Sequence, residues 1–269
     1  MDTKTFARYL FAFGMIGLGL LSVIYTSWSL QWEPVPPGIP VRLAYVSGAI
    51  LALGGLGLLI RPAAMLAAAV LAAVLLVWVV VLKIPGAVAA SPSATGWQQL
   101  SGIWLGVAED TAMMCGAWTL MALADQVNND ASTRFLTDAA GLRIARTLFG
   151  VACLVFGASH FAYADFTSGM IPAWIPARLP LAYVTGAGHL LAGVALITGV
   201  LPRLAATLEA VMMSLFVLLV HLPMLLAHPA ADALQLDWTM LFVACTLSAS
   251  AWAVSGSLAD RSWVPAGAS

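Results

Sequence analysis

Eight long apolar segments constrain the fold of this chain more than any other feature of its sequence. A helix that crosses a bilayer needs roughly 20 mostly apolar residues, and eight stretches of about that length occur. They cover residues 8–30, 41–60, 62–83, 101–124, 144–164, 179–200, 202–226 and 238–256. Because backbone groups in lipid must find hydrogen-bond partners within the segment, each stretch predicts a helix. The sequence therefore predicts an all-α membrane protein with eight transmembrane helices.

Composition excludes several other classes of protein. Only 9% of the 269 residues are charged and the formal net charge is −1, so a nucleic-acid interface is not expected. The three cysteines, Cys115, Cys153 and Cys245, stand alone in separate apolar segments. This spacing predicts buried thiols and neither disulfides nor a thiolate zinc site. The sequence also lacks a Walker loop, a dinucleotide fingerprint and a Ser-His-Asp order, which disfavours soluble-type kinases, dehydrogenases and hydrolases.

The basic residues indicate the orientation of the segments. Eight of the 11 fall on the side of the N-terminus: Lys4, Arg8, Arg61, Arg134, Arg143, Arg146, Arg203 and Arg261. The other three are Arg42, Lys83 and Arg178. The positive-inside rule then places both termini in the cytoplasm, and we expect a bacterial inner membrane protein. Tryptophans near the opposite ends are typical of an interfacial belt: Trp28, Trp32, Trp97, Trp104, Trp174 and Trp238.

An offset of 138 residues aligns the chain with itself. LAYVSGA at 43–49 aligns with LAYVTGA at 181–187, and KIP at 83–85 aligns with HLP at 221–223. Four segments per unit is an even number, so both units insert in the same orientation, as in parallel-repeat transporters. The sequence thus predicts two parallel-repeat four-helix bundles, at residues 1–124 and 144–258. A polar cytoplasmic linker at 125–143 joins them.

The second unit carries a set of recognisable segments: GASHF at 157–161, MIPAWIP at 170–176, LAYVTGAGHLLAG at 181–193 and LPRLAA at 201–206. These segments resemble the DoxX family of four-helix membrane proteins. The first unit resembles a divergent copy, because Ser22 stands where His160 stands and Lys83 where His221 stands. The resemblance implies association with quinone-linked redox complexes such as thiosulfate:quinone oxidoreductase, usually as a subunit. His189 occupies a helix in which family members commonly carry an acid.

All four histidines lie in the second unit. At about 1.5 Å per residue, His160 lies about 5 Å, His221 about 7 Å and His189 about 13 Å below the outer ends of their helices, with His228 at the surface. Three helices thus bring imidazoles into the same half of one bundle, which predicts a shared pocket. The depth difference between His160 and His189 disfavours a compact metal site. We therefore expect a quinone headgroup or another small molecule, with haem or a metal at His160, His189 and His221 as the alternative.

Two adjacent acids, Glu109 and Asp110, lie about 12 Å inside the predicted fourth helix. Successive helix residues point about 100° apart, so at most one of them faces any single partner. One interpretation is a buried acid bonded in the interface between the units, and the other is a proton relay beside the histidine pocket. Glu209, nearer the cytoplasmic side, is expected to form a structural bond.

The proline-rich outer loop of the second unit contributes further candidates. Asp165 and Arg178 flank it and predict an ion pair or loop caps, with substrate contact as the alternative. Trp174 is either a belt residue or a lid over the pocket. Tyr163 and Tyr183 complete this set of substrate or loop residues.

Three functions are compatible with these features. The first is a quinone-linked redox protein or oxidoreductase subunit in which His160, His189, His221, Glu109 and Asp110 form the catalytic set. It would need a redox partner subunit, because no side chain here carries electrons unaided. The second is a transporter or exporter of a small solute, which the parallel repeat and buried acids suggest. The third is a membrane anchor subunit without chemistry of its own.

Overall fold

A computed structural model describes residues 1–28, 38–128, 134–227 and 231–263, and nearly all of this part of the chain is helical. The α-helices are α1 (Thr3–Ile24), α2 (Ala44–Leu59), α3 (Ala64–Val77), α4 (Ile84–Ala90), α5 (Trp97–Asn128), α6 (Arg134–Thr137), α7 (Ala139–Ala162), α8 (Ala164–Met170), α9 (Arg178–Thr198), α10 (Pro202–Phe216), α11 (Leu222–Ala227) and α12 (Ala231–Ser257). No β-strand occurs in these described ranges. The predicted all-α fold is confirmed.

Seven helical segments are long and apolar enough to cross a membrane. They are Thr3–Ile24, Val41–Leu59, Arg61–Ser93, Ala139–Ala162, Arg178–Thr198, Pro202–Ala227 and Ala233–Ser257. The eighth predicted span, 101–124, lies within α5, which is 32 residues long but is not among the seven. Glu109 and Asp110 make the middle of α5 less apolar than the other long helices. Within the described residues, length and composition thus support seven spans, and the predicted eighth is not confirmed.

The 138-residue repeat divides the helices into a first half, α1 to α5, and a second half, α7 to α12. An aspartate caps the N-terminus of the first long helix in each half. The carboxylate of Asp2 accepts the backbone N–H of Thr5 at 2.7 Å, and this backbone hydrogen bond lowers the pKa of Asp2. The carboxylate of Asp138 accepts the N–H groups of Ala140 and Gly141, each at 2.9 Å. Both caps satisfy amides that have no partner within the helix. The sequence therefore sets where α1 and α7 begin.

A wide π turn interrupts the third long helix of each half. It covers Trp78–Lys83 after α3 and Val217–His221 after α10. Pro85 and Pro223 follow these turns, and each lacks an N–H and crowds the carbonyl four residues before it. A π turn accommodates such a proline without ending the helix. Lys83 and His221 consequently occupy the same place, as the last residue of the turn.

Close contacts between helices also recur at the 138-residue offset. In the first half, Gly19 of α1 lies against Gly48 of α2, and in the second half Gly157 of α7 lies against Gly186 of α9. A Cβ atom on Gly157 would be 2.7 Å from the carbonyl oxygen of Gly186, and one on Gly19 would be 2.4 Å from that of Gly48. Small residues allow membrane helices to approach this closely. The first two long helices of each half therefore pack in the same way.

The two halves are not separable bundles, because the last long helix of each half lies between the third helix of its own half and the first helix of the other half. Within each half, neighbours in sequence pack together: α1 with α2, α2 with α3, α7 with α9, and α9 with α10. The last helix of each half, however, packs on the first helix of the other half, α12 on α1 and α5 on α7. Helices α5 and α12 also contact each other. One core therefore runs through both halves.

The stretch predicted as a linker, 125–143, is largely helical where it is described. It contains the end of α5, all of α6 and the start of α7. The indole N–H of Trp118 donates to the carbonyl of Leu136 at 2.8 Å and holds α6 against α5. Trp32, His228 and most of the proline-rich loop at 33–40 lie outside the described residues.

Candidate ligand cavity

A cavity of about 500 Å³ lies between α7, α9, α10 and α12 of the second half and α5 of the first half. All three membrane histidines predicted to share a pocket line it, as do Glu109 and Tyr163. The rest of the wall is mainly apolar and includes Leu105, Phe156, Met213, Phe216, Met240, Ala244 and Leu247. Few polar groups in a mostly apolar cavity of this size are characteristic of a small-molecule site.

His160 and His189 lie side by side, in contrast to the predicted difference in depth. Their ring centroids are 4.9 Å apart. His160 is two residues before the end of α7, about 3 Å from it, whereas His189 is 11 residues into α9, about 16 Å from its start. The prediction assumed that the two helices end at one level. It was wrong because the first turns of α9 extend beyond the end of α7.

Aromatic rings surround this histidine pair. The ring of Phe216 stacks on His160, with centroids 5.8 Å apart and an angle of 23°, and lies 5.9 Å from His189. Phe156 meets His189 edge-on at 5.7 Å. One aromatic face therefore covers His160, and aromatic rings contact His189 at steeper angles.

Hydrogen bonds assign the tautomer of His160. Its Nδ1 lies 3.0 Å from Oγ1 of Thr185 and 3.4 Å from the carbonyl oxygen of Ala182. The Thr185 hydroxyl donates its own hydrogen to a backbone carbonyl of α9, so both oxygens are acceptors for His160. Nδ1 therefore carries the hydrogen, and Nε2 is left as an acceptor.

His189 is paired with a carboxyl group. Its Nδ1 lies 2.6 Å from Oε1 of Glu209 on α10, and both residues are almost fully buried. The thiol of Cys153 donates to the same Oε1 at 3.7 Å. The sequence did not connect Glu209 with the pocket, although a signal was present. At the 138-residue offset, His189 aligns with Leu51 and Glu209 aligns with Leu71. Two polar residues of the second half thus replace two apolar residues of the first half.

His221 reaches the cavity from the π turn after α10. Its Nδ1 is buried and has no hydrogen-bond partner within the described residues. On the opposite side, the hydroxyls of Ser101 and Ser159 join α5 to α7 at 2.8 Å, and Ser159 lines the cavity. His221 can therefore donate a hydrogen bond to a ligand in the cavity or accept one from it.

The adjacent acids of α5 face different partners, as predicted. Glu109 lines the cavity. Asp110 is fully buried outside it, with Oδ2 3.1 Å from Nζ of Lys83. Lys83 also donates to the carbonyl of Gly106 at 3.2 Å. Asp110 therefore belongs to an ion pair within the first half and does not line the cavity with the histidines.

The outer loop of the second half closes the cavity in a way that the sequence did not predict. After Tyr163 the chain forms α8, and Phe166, Thr167, Met170 and Ile171 line the cavity. Trp174 is 71% exposed and lies outside the cavity. Helix α8, and not Trp174, thus forms this part of the cavity wall, and of the two roles predicted for Trp174 its exposed position suits a belt residue. Tyr163 does line the cavity, and its hydroxyl donates to the carbonyl of Gln98 at 2.8 Å.

Three other loop candidates also lie away from the cavity. Asp165 and Arg178 are exposed and form no salt bridge with each other in the part of the chain that is described. Asp165 instead stands in the first turn of α8, where the helix dipole favours an acid. Tyr183 packs on Phe161, with ring centroids 5.6 Å apart. These side chains do not contact the histidine cluster.

The donor set does not converge as a metal site does. Within the described residues, no group of three or more His, Cys, Asp or Glu side chains could hold a metal ion. In both His160 and His189, Nδ1 is hydrogen-bonded to a protein oxygen. Each histidine therefore has one ring nitrogen, Nε2, for a further contact. The arrangement therefore suits hydrogen bonding to an organic ligand.

Comparison with known proteins identifies one family. Residues 141–222 match the model of the DoxX family, which confirms the resemblance predicted from the sequence. The matched region begins in α7, includes α8 to α10, and ends just after the π turn, so it contains His160, His189, Glu209 and His221. No curated protein and no solved structure matches the chain.

Proposed function

Because residues 141–222 form a DoxX domain in an integral membrane protein, we propose that the cavity binds a quinone headgroup for a quinone-linked redox reaction. The convergence of His160, His189 and His221 with Glu109 on one cavity carries this proposal. Each of these groups lies in a helix whose surroundings are apolar, where an ionisable residue is costly and is a candidate for function.

The cavity matches a quinone in size and chemistry. Its volume of about 500 Å³ lies within the roughly 300–1,000 Å³ of small-molecule sites. A quinone ring is flat and apolar on both faces, as are the rings of Phe156 and Phe216. Its two carbonyl oxygens need hydrogen-bond donors, which His221, a protonated His189 and a protonated Glu109 supply. The apolar wall suits the isoprenoid tail.

The reaction needs an electron source outside this chain. Reduction of a quinone to a quinol takes two electrons and two protons. Imidazole and carboxyl groups on the wall can exchange the protons, but no side chain here carries electrons unaided. We therefore propose that a partner redox protein or a small reduced substrate supplies the electrons, and that this chain is the quinone-binding subunit.

We further propose that α5 crosses the membrane as an eighth span. Its 32 residues extend about 48 Å, which exceeds the roughly 30 Å hydrocarbon core. Its two acids do not face lipid, because Asp110 is paired with Lys83 and Glu109 lines the cavity. An even number of spans places both termini on one side, and the basic residues favour the cytoplasm of a bacterial inner membrane.

Lipid extraction and ligand titration test the proposed function. The wild-type protein purified in mild detergent is expected to retain quinone, and the delipidated protein is expected to bind the soluble quinone ubiquinone-0. His160→Ala should abolish both, while Ser22→Ala, at the aligned position of the first half, should change neither. An absence of quinone binding by the folded wild-type protein would contradict the proposal. A Soret band in the visible spectrum would instead support haem at the histidines.

A further inference from the structure

Three buried polar side chains lie beside the cavity at places where the first half has apolar ones. They are Cys153, His189 and Glu209, which align at the 138-residue offset with Met15, Leu51 and Leu71. All six are buried. Since the aligned leucines lie in the core of the first half, this helix packing does not by itself require a histidine and a glutamate.

His189 and Glu209 share one short hydrogen bond, whereas the second carboxyl oxygen of Glu209 has no hydrogen-bond partner among the described residues. Nδ1 of His189 lies 2.6 Å from Oε1 of Glu209, a distance typical of a charge-assisted hydrogen bond. Oε2 of Glu209 is buried and has no hydrogen-bond partner among the described residues. A buried polar atom without a partner costs stability. The structure therefore carries an energetic cost at Glu209 that a leucine would remove.

We propose that His189 and Glu209 form a proton site that couples ligand binding in the cavity to the uptake of one proton. This inference rests on the proposed quinone site and specifies how the site recognises its ligand. Glu209 acts as a positioning residue: it accepts the hydrogen bond from Nδ1 of His189, so Nε2 is the ring nitrogen available to a ligand in the cavity. The protonation state of the pair determines whether Nε2 donates a hydrogen bond to a ligand or accepts one from it.

The two protonation states of the pair favour different ligands. With the extra proton, the imidazolium donates from Nδ1 to the carboxylate and from Nε2 to the ligand, so the cavity binds a carbonyl oxygen. Without it, neutral His189 still donates from Nδ1, and Nε2 can only accept. The cavity then favours a ligand hydroxyl. The pair therefore distinguishes a quinone from a quinol by the presence of one proton.

Other titratable groups surround this pair, and the test must separate them from it. Cys153 and His160 face it from α7, His221 lines the same cavity from the π turn, and Glu109 lines it from α5. The residues that α12 contributes to the wall are Met240, Ala244 and Leu247, which do not titrate. Of the acids, Glu209 is the one hydrogen-bonded to His189.

The experiment measures ubiquinone-0 binding by the full-length protein in detergent from about pH 5.5 to 8.5, a range that spans neutral pH. Calorimetry in two buffers of different ionisation enthalpy counts the protons. We expect the wild type to take up about one proton per ligand and to lose affinity by up to about tenfold per pH unit as the pair loses its proton. Glu209→Gln keeps an oxygen for Nδ1 but has no negative charge. It should bind more weakly than wild type, without proton uptake and with a flat pH profile, because Nε2 of a neutral His189 cannot donate.

A matched variant and a fold control make the result decisive. His160→Gln changes a neighbouring imidazole, so its affinity should fall while the proton uptake stays. If Glu209→Gln is unstable, the double variant His189→Leu/Glu209→Leu repeats the leucines of the first half, and it should fold and bind no ubiquinone-0 at any pH in this range. Wild-type binding without proton uptake, or uptake that survives Glu209→Gln, would overturn this inference and leave the quinone site standing. A wild type that binds no quinone at any pH would refute both.

Discussion

The two halves of this protein have the same helical plan and differ in where they place ionisable groups. Both contain a close glycine contact between their first two long helices and a π turn before a proline. In the first half, the residue at the end of that turn is Lys83, which pairs with Asp110. In the second it is His221, which lines the cavity, and the position aligned with Asp110 is Ser248.

Polar groups, and not helix packing, distinguish the two halves. The second half places His189 and Glu209 beside a cavity, where the first half packs Leu51 and Leu71 into its core. The ion pair of the first half, by contrast, is shielded from solvent. The side chain of Lys83 is 9% exposed and that of Asp110 is 0% exposed. The first half therefore holds a structural ion pair and the second holds the candidate site.

The largest expected effect comes from breaking the ion pair of the first half. Asp110→Leu leaves the ammonium of Lys83 buried without its partner, which typically costs about 3–5 kcal/mol. We expect a large fall in thermal stability, measured with a thiol-reactive dye that reports exposure of the three buried cysteines. The double variant Lys83→His/Asp110→Ser, which copies the second half, should recover most of that loss. A single variant as stable as wild type would mean that the pair is not structural.

Substitution of the interhelical glycines should have the next largest effect, and it should be equal in the two halves. Gly157→Ala and Gly19→Ala each place a Cβ too close to a carbonyl of the neighbouring helix, and overpacking of this kind costs about 1–3 kcal/mol. Gly86→Ala is the control, because nothing lies within 4 Å of its added atom. Thermal unfolding measures all three. Unequal losses at Gly19 and Gly157 would break the comparison of the halves.

The π turns should affect binding in one half only. Pro223→Ala allows a regular helix to form and rotates His221 relative to the cavity wall. We expect the affinity for ubiquinone-0 to fall about tenfold, or 1.4 kcal/mol, with little change in thermal stability. The matched variant Pro85→Ala in the first half should leave the affinity unchanged. Equal losses in the two variants would place the effect in the fold and not in His221.

The smallest effect is expected at the outer loop. Trp174→Ala removes an exposed ring that does not line the cavity, and such surface changes usually stay within about 0.5 kcal/mol. The affinity for ubiquinone-0 and the thermal stability should match wild type. A clear loss of affinity would restore Trp174 as a lid and would require the loop to close over the bound ligand.

Periodicity and self-similarity predicted the positions of the helices well, because apolar length and helix signals are local properties. The convergence of His160, His189 and His221 was also predictable, since the three lie on helices that neighbour one another in sequence. Only the assumption that all helices end at one level failed, and it failed because α9 starts further out than α7 ends. Helix α8 escaped notice because it is too short to show a helical period.

Contacts between distant segments were harder to predict. The bonds from Lys83 to Asp110 and from His189 to Glu209 join different helices, and the rotation of each helix about its axis decides whether they form. The contacts of α5 and α12 with the other half likewise depend on tertiary packing, because the repeat predicts equivalent helices but not which copy they contact. The aligned leucines at 51 and 71 were the one sequence signal for the His189 and Glu209 pair.

Ubiquinone-0 binding by the double variant His189→Leu/Glu209→Leu tests most sharply whether the polar pair of the second half forms the site. Wild type and a matched change in the first half, Leu51→Met, are the comparisons. The double variant repeats a leucine pair that the same fold already packs in its first half. We expect it to unfold at or above the wild-type temperature and to bind no quinone, while Leu51→Met binds like wild type. A double variant that folds and still binds with wild-type affinity would contradict the assignment of the site to the second half's polar pair.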